Sequence, residues 1–191
     1  MKQRLTLEQV CTWLKEDKQL MMILEIIQSW HLPDCWLVAG TLRTFFWNHL
    51  SGQETDSKDV DVVFFAPQLS YADSAALAEE LAEQYPTIDW EIKNQAWMHL
   101  HNFSDEAPYT SSLDAVSKYP ETCTALACRL QGTQLELVAP WGLQDLANFE
   151  VRPTPHFSQS ERYLEVYRQR VAQKNWQKDW QKDWPLIQIY S

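Results

Sequence analysis

Two aspartates, Asp59 and Asp61, stand in the run Asp-Val-Asp-Val-Val-Phe-Phe (59–65), an apolar stretch whose alternation reads as a β-strand ended by Pro67. Alternation puts both carboxylates on one strand face, about 6.6 Å apart. That separation suits joint coordination of one or two hard divalent cations such as Mg²⁺, which take oxygen ligands and complete their shells with phosphate oxygens. The spacing alone is not selective, because 26 acidic residues in 191 produce about 3.5 such pairs by chance. Position adds weight: like charges inside the most apolar strand of the chain are costly unless they face solvent or a cation. A strand with one solvated face would carry the same pair.

A second element lies upstream. Cys35 to Ala39 reads as a short buried strand broken by Gly40, and Thr41 to Leu50 has helical spacing that closes at Gly52. A residue without Cβ at a strand-to-helix junction lets an anion approach backbone N–H groups, and Thr41 and Arg43 follow at once as further donors. A tight turn needing positive φ would explain Gly40 equally. Downstream, Glu91 and Lys93 sit in a strand expected over 88–93, beside Asn94, Gln95 and His99. Lys93 could neutralise a phosphate, and Asn94 or Gln95 could read a base or sugar. A polar edge strand accounts for the same residues. His99 and His101 would share a strand face, without a third ligand to complete a transition-metal site.

The elements that must position these groups are mixed. Thr6 and Gln9 form a capping-box pattern before one helix, and Asp17 restarts a second that ends before Pro33. A helix is expected over 73–84 with Asp73 as its N-cap, and a short one over 113–119 before Pro120. Strands over 122–130 and 134–139 flank Gln131-Gly132-Thr133 as an antiparallel hairpin. A short helix over 143–148 and a final helix from about Ser158 to beyond Val171 complete the order. The chain ends in a doubled Gln-Lys-Asp-Trp (177–184), which places Trp176, Trp180 and Trp184 four apart on one helix face, suited to docking the tail on the body or on another subunit. One domain is expected, with N-terminal helices in 1–31, a core in 32–155, and a C-terminal helix and Trp-rich tail in 156–191.

Composition excludes several functions. Four glycines in 191 residues, against about thirteen at average usage, leave no cluster for a Walker loop or a dinucleotide fingerprint. No Gly-x-Ser-x-Gly elbow is present. A net charge of −10 argues against gripping long nucleic acid through a general basic surface. Cys11, Cys35, Cys123 and Cys128 lack metal-ligand spacing and read as buried reduced thiols. With no signal h-region and no apolar run near 20 residues, a cytoplasmic protein is expected.

Taken together, Leu37-Val38-Ala39-Gly40-Thr41, a helix, and Asp59-Val60-Asp61-Val62-Val63 resemble the signature of the DNA polymerase beta-like nucleotidyltransferase superfamily. Trp90 to His99, Pro108-Tyr109, Glu121-Thr122 and Ala139-Pro140-x-Gly142-Leu143-x-Asp145-Leu146 look like a bacterial branch of small nucleotidyltransferase-like proteins. The resemblance covers Leu32 to Pro155. It implies an α/β fold of the α+β type, a small mixed sheet with flanking helices and helical additions at both ends. It also implies Mg²⁺, with Mn²⁺ as a substitute, held by Asp59 and Asp61, and a nucleoside triphosphate whose oxygens lie against Gly40, Thr41, Arg43 and Lys93. A third carboxylate is expected as ligand or base, either Glu91 in Trp-Glu-Ile or Glu136 in Leu-Glu-Leu; the polar surroundings of Glu91 favour it. The alternative is a noncatalytic nucleotide-binding or protein-binding module that keeps the fold. A third carboxylate facing the aspartates would distinguish the two.

Overall fold

The computed structural model describes residues 4–55, 57, 59–101, 103, 105–173 and 182–190. Two helices open it, α1 (Leu7–Glu16) and α2 (Lys18–Ser29). The Thr6 hydroxyl accepts from the Gln9 amide while the Gln9 side chain accepts from the Thr6 amide, so two otherwise orphaned N–H groups are satisfied reciprocally. Asp17 ends α1 and caps α2, accepting from the Leu20 amide at 2.8 Å.

Strand β1 (Trp36–Val38) runs directly into α3 (Ala39–Ser51), which stops at Gly52 in the left-handed region, φ 70°. After β2 (Val60–Phe64) comes α4 (Tyr71–Glu83). Its N-cap is Ser70 rather than Asp73: the Ser70 hydroxyl accepts from the Asp73 amide and donates to the Asp73 carboxylate, so the helix begins two residues earlier than expected. Strand β3 (Trp90–Asn94) passes into a 3₁₀ helix (Gln95–Leu100), so His99 and His101 do not share a strand face. Helix α5 (Ser112–Ser117) precedes the hairpin β4 (Ala127–Gln131) and β5 (Gln134–Val138). The first hairpin strand starts later than its apolar run suggests, because the Glu121 carbonyl accepts from both the Thr124 and Ala125 amides and curls residues 121–125 into a turn. A short α6 (Gln144–Ala147), β6 (Glu150–Val151), α7 (Glu161–Gln173) and β7 (Gln188–Ile189) follow.

The main sheet has the order β3-β2-β1-β4-β5; β2 and β3 are parallel and the other pairs antiparallel. This is the mixed sheet with flanking helices that the sequence implied. Along β2, Val60, Val62 and Phe64 join the large core beneath α1, α2 and α3, with Leu37, Ile92 and Cys128 from neighbouring strands. Val63 falls in the opposite cluster with Trp36, Val38 and Val116 of α5. Asp61, two residues from Val63, therefore lies on the α5 face, and parallel register brings Glu91 level with it. Cys123 and Cys128 are buried free thiols, while Cys11 and Cys35 are only half-buried. Among the described residues no helix is long and apolar enough to cross a membrane.

Candidate functional site

The carboxylates of Asp59, Asp61 and Glu91 each place one oxygen within 4.8 Å of the others. Asp61 comes from β2, Asp59 from the bend just before it, and Glu91 from the second position of β3. Glu136, the other candidate, stands on β5 at the opposite edge of the sheet from β3 and is held by Arg129 at 2.7 Å. The third carboxylate of the cluster is thus Glu91.

Asp61 is strongly perturbed. Burial pushes its carboxyl up to about 6, the neighbouring charges of Asp59 and Glu91 push in the same direction, and the Gly40 amide and Arg43 guanidinium partly offset them. Three hard oxygen donors crowded this closely, one of them costly to ionise alone, suit a divalent cation. The donor set fits Mg²⁺ or Mn²⁺ and lacks the nitrogen or sulfur ligands of a typical zinc site.

The Gly40 amide donates to Asp61 Oδ2 at 3.0 Å. Gly40 is not the residue with positive φ at this junction; Ala39 is, at 54°. The absent side chain matters for proximity instead, since a Cβ at position 40 would meet the Asp61 carboxylate at 3.1 Å. Thr41 is also placed differently from the expectation that it faces phosphate. Its buried hydroxyl accepts from the Asp61 amide at 3.0 Å and donates to the Asp59 carbonyl at 3.3 Å, binding α3 to the start of β2 and the bend before it. Arg43 stacks against Trp47 and Trp184, with 5.4 and 5.9 Å to the ring centroids. Burial lowers its pKa, with the charges of Cys123, Glu121 and Asp61 acting the other way.

Asp59, Asp61, Glu91, Gly40 and Arg43 line one cleft of about 620 Å³, together with Lys93, Gln95 and His101; Thr41 does not line it. Asn94 is excluded from recognition: its buried amide bonds to Ala66 and Ser74 and ties β3 to α4. The lining also includes Lys118, Tyr119 and Glu121 after α5, and Arg170 of α7. Sequence reading missed Arg170, which looked like part of a structural helix. Its signal was Glu121, a carboxylate in a singled-out segment that turns out to be fully buried and paired with it. Trp184 docks on the body, edge-on to Trp47 at 5.1 Å, whereas Trp176 and Trp180 lie outside the described residues.

A family model described as nucleotidyltransferase matches residues 25–184. The chain belongs to this nucleotidyltransferase family. Among solved structures, an NMR structure described as revealing a CCA-adding enzyme head domain is 41% identical, with a TM-score of 0.85 over 100% of this chain and 97% of that one. The crystal structure of the Bacillus stearothermophilus CCA-adding enzyme in complex with CTP is 16% identical, with a TM-score of 0.55 over 91% of this chain and 41% of that one. An apo form of a CCA-adding enzyme is 14% identical, with a TM-score of 0.55 over 95% and 42% of the two chains. The nucleotidyltransferase spans about two fifths of these last two chains, and at such identities the likeness shows the fold alone. No curated protein matches the chain.

Proposed function

We propose that the chain transfers a nucleoside monophosphate from a nucleoside triphosphate to a hydroxyl acceptor, with Asp59, Asp61 and Glu91 holding Mg²⁺, or Mn²⁺ in its place. The single observation carrying this reading is the convergence of the three carboxylate oxygens within 4.8 Å in the main cleft of a nucleotidyltransferase family member. A divalent ion bound there supplies positive charge to the phosphoryl oxygens and aligns the in-line displacement.

The chain's own residues do the rest. Glu91, the exposed member of the three, accepts the proton of the acceptor hydroxyl as the new oxygen–phosphorus bond forms at the α-phosphorus. The bond between the α-phosphorus and its bridging oxygen breaks, and pyrophosphate leaves. Lys93 offsets phosphate charge from the β3 side, and Arg43 does so from beneath Gly40. Thr41 acts indirectly, fixing the backbone of Asp59 and Asp61 where the bend enters β2. Among triphosphates, CTP is the first to try, since a distant structure of the same fold was solved with it.

The acceptor we favour is a small molecule or a protein rather than long nucleic acid, on the strength of the −10 net charge. The narrower kinship with small bacterial nucleotidyltransferase-like proteins, and a cytoplasmic location, belong to the same proposal. Glu91 beside the aspartates favours catalysis over a noncatalytic module with the same fold.

The test is titration of each nucleoside triphosphate with Mg²⁺ against wild type, the Asp59→Ala/Asp61→Ala pair, Glu91→Gln and Glu136→Gln. Metal-dependent binding should vanish in the double variant, weaken in Glu91→Gln and persist in Glu136→Gln. Equal binding by wild type and the double variant would remove the site from consideration.

A further inference from the structure

The lining of the cleft contains a second charge arrangement, from Glu121 and Arg170, to which the proposed function gives no part. Glu121 has no exposed surface. Its carboxylate accepts from the Thr124 hydroxyl at 2.8 Å and, through the other oxygen, from Arg170 Nε at 2.8 Å. A buried ion pair contributes little net stability, because the cost of desolvating both charges offsets their attraction. What it does supply is orientation. With Nε held by a carboxylate that has no freedom of its own, the guanidinium plane of Arg170 is set in one attitude, and 38% of that side chain remains accessible along the cleft.

The same cavity joins this pair to the carboxylate cluster. Tyr119, in the wall beside Glu121, feels the charges of Asp61, Glu91 and Arg170 together, after the dominant effect of its burial. The other cations of the cleft are less suited to the far end of a triphosphate. Arg43 is packed between tryptophans under Gly40, Lys93 shares a strand with Glu91, and Lys118 is engaged by Asp114 at 3.0 Å and lies over the Tyr109 ring. A planar guanidinium fork pairs two-to-two with phosphate oxygens, which a single ammonium cannot do.

Resting on the nucleotidyltransferase reading, we propose that Arg170 of α7 binds the β- and γ-phosphates of the nucleotide, and hence the pyrophosphate that leaves, with buried Glu121 as its positioning residue. α7 then completes the substrate site from a part of the chain 109 residues beyond Asp61 (170 − 61). The α-phosphate would then sit toward the carboxylates and the leaving group toward Arg170, within the one cleft that both line.

The experiment measures, by calorimetry on the full chain, the affinity for Mn²⁺ alone, for pyrophosphate with Mn²⁺, and for nucleoside triphosphate and monophosphate with Mn²⁺. R170A should weaken pyrophosphate and triphosphate by about 10- to 100-fold, the range of a charge-assisted pair, while Mn²⁺ alone and monophosphate change less than about twofold. R170K, which keeps the charge opposite Glu121 but lacks the fork, should fall between, and it decides the matter if R170A does not fold. E121Q should weaken pyrophosphate in the wild-type background and add nothing in the R170A background, whereas a merely structural Glu121 would cost the same in both. Unchanged pyrophosphate binding in R170A and R170K overturns the proposal, as does an equal loss of Mn²⁺ affinity. If wild type binds no nucleotide with metal and the Asp59→Ala/Asp61→Ala pair behaves identically, the nucleotidyl-transfer reading fails first and takes this one with it. Metal-dependent binding lost in that pair but intact in R170A refutes Arg170 alone.

Discussion

The Gly40 amide donates to Asp61 Oδ2 at 3.0 Å, and a Cβ at position 40 would stand 3.1 Å from that same oxygen. One atom of Asp61 thus takes both the hydrogen bond and the space that a side chain would fill. Gly40→Ala meets a carboxylate rather than backbone, and its φ is helical, so the fold should tolerate the change within about 1 kcal/mol, helped by the better helix propensity of alanine. The carboxylate must shift by a few tenths of an ångström, which misplaces a ligand. We expect a melting temperature close to wild type and a several-fold loss of Mn²⁺ affinity; undiminished Mn²⁺ binding would show that the close approach is incidental.

Asp61 also makes the stability of the metal-free protein depend on pH. Its folded pKa is about 6 against 3.8 for the free side chain. Below both values the carboxyl is protonated in both states and contributes nothing. As pH rises from about 4 to 6, the unfolded chain ionises first and stability falls; above about 6 the full penalty, on the order of 1–3 kcal/mol, is present. Asp61→Asn should therefore raise the urea midpoint of the metal-free protein at pH 7.5 and do little at pH 4. Saturating Mn²⁺ should reverse the ranking at pH 7.5. A variant no more stable than wild type at pH 7.5 without metal contradicts this account.

Trp184 is 2% exposed and meets Trp47 edge-on, with Arg43 against the same rings. Trp184→Ala should cost about 3–5 kcal/mol, the range for emptying a buried tryptophan site. It should also weaken triphosphate binding beyond any effect on Mn²⁺ alone, because Arg43 loses the Trp184 ring that it lies against. Chemical denaturation and the two titrations test this directly, and a loss below about 1 kcal/mol would mean that the tail packs only loosely.

Local chemistry was readable from local sequence. The Thr6–Gln9 box, the double duty of Asp17 and the left-handed stop at Gly52 each depend on residues within one turn of one another. The proximity of Asp59 to Asp61 was expected from strand alternation, but Asp59 stands in the bend before β2 and reaches the cluster from there. What was hidden depends on register and distant pairing. Glu91 and Glu136 both occupy apolar-acid-apolar triplets; only the parallel pairing of β3 with β2 puts Glu91 opposite Asp61 and leaves Glu136 with Arg129. Thr41 looked like an anion donor because its neighbours do, yet its hydroxyl is used twice by β2. Asp73 was the expected cap, yet Ser70, three residues upstream, takes that position and holds the Asp73 amide and carboxylate. The Glu121–Arg170 pair spans 49 residues (170 − 121), beyond any spacing rule.

The packing of Trp184 and the pairing of β7 with β6 bear on the order in which the molecule is made. Synthesis runs from the N-terminus, so the three clustered carboxylates leave the ribosome many residues ahead of α7 and of the segment that covers Arg43. During that interval the nascent chain carries a half-built acidic notch, open on the side that Arg170 and Trp184 later close. If the proposed reading holds, the nucleotide site would be completed only after α7 and Trp184 have been made, later than the carboxylates proposed to hold its metal.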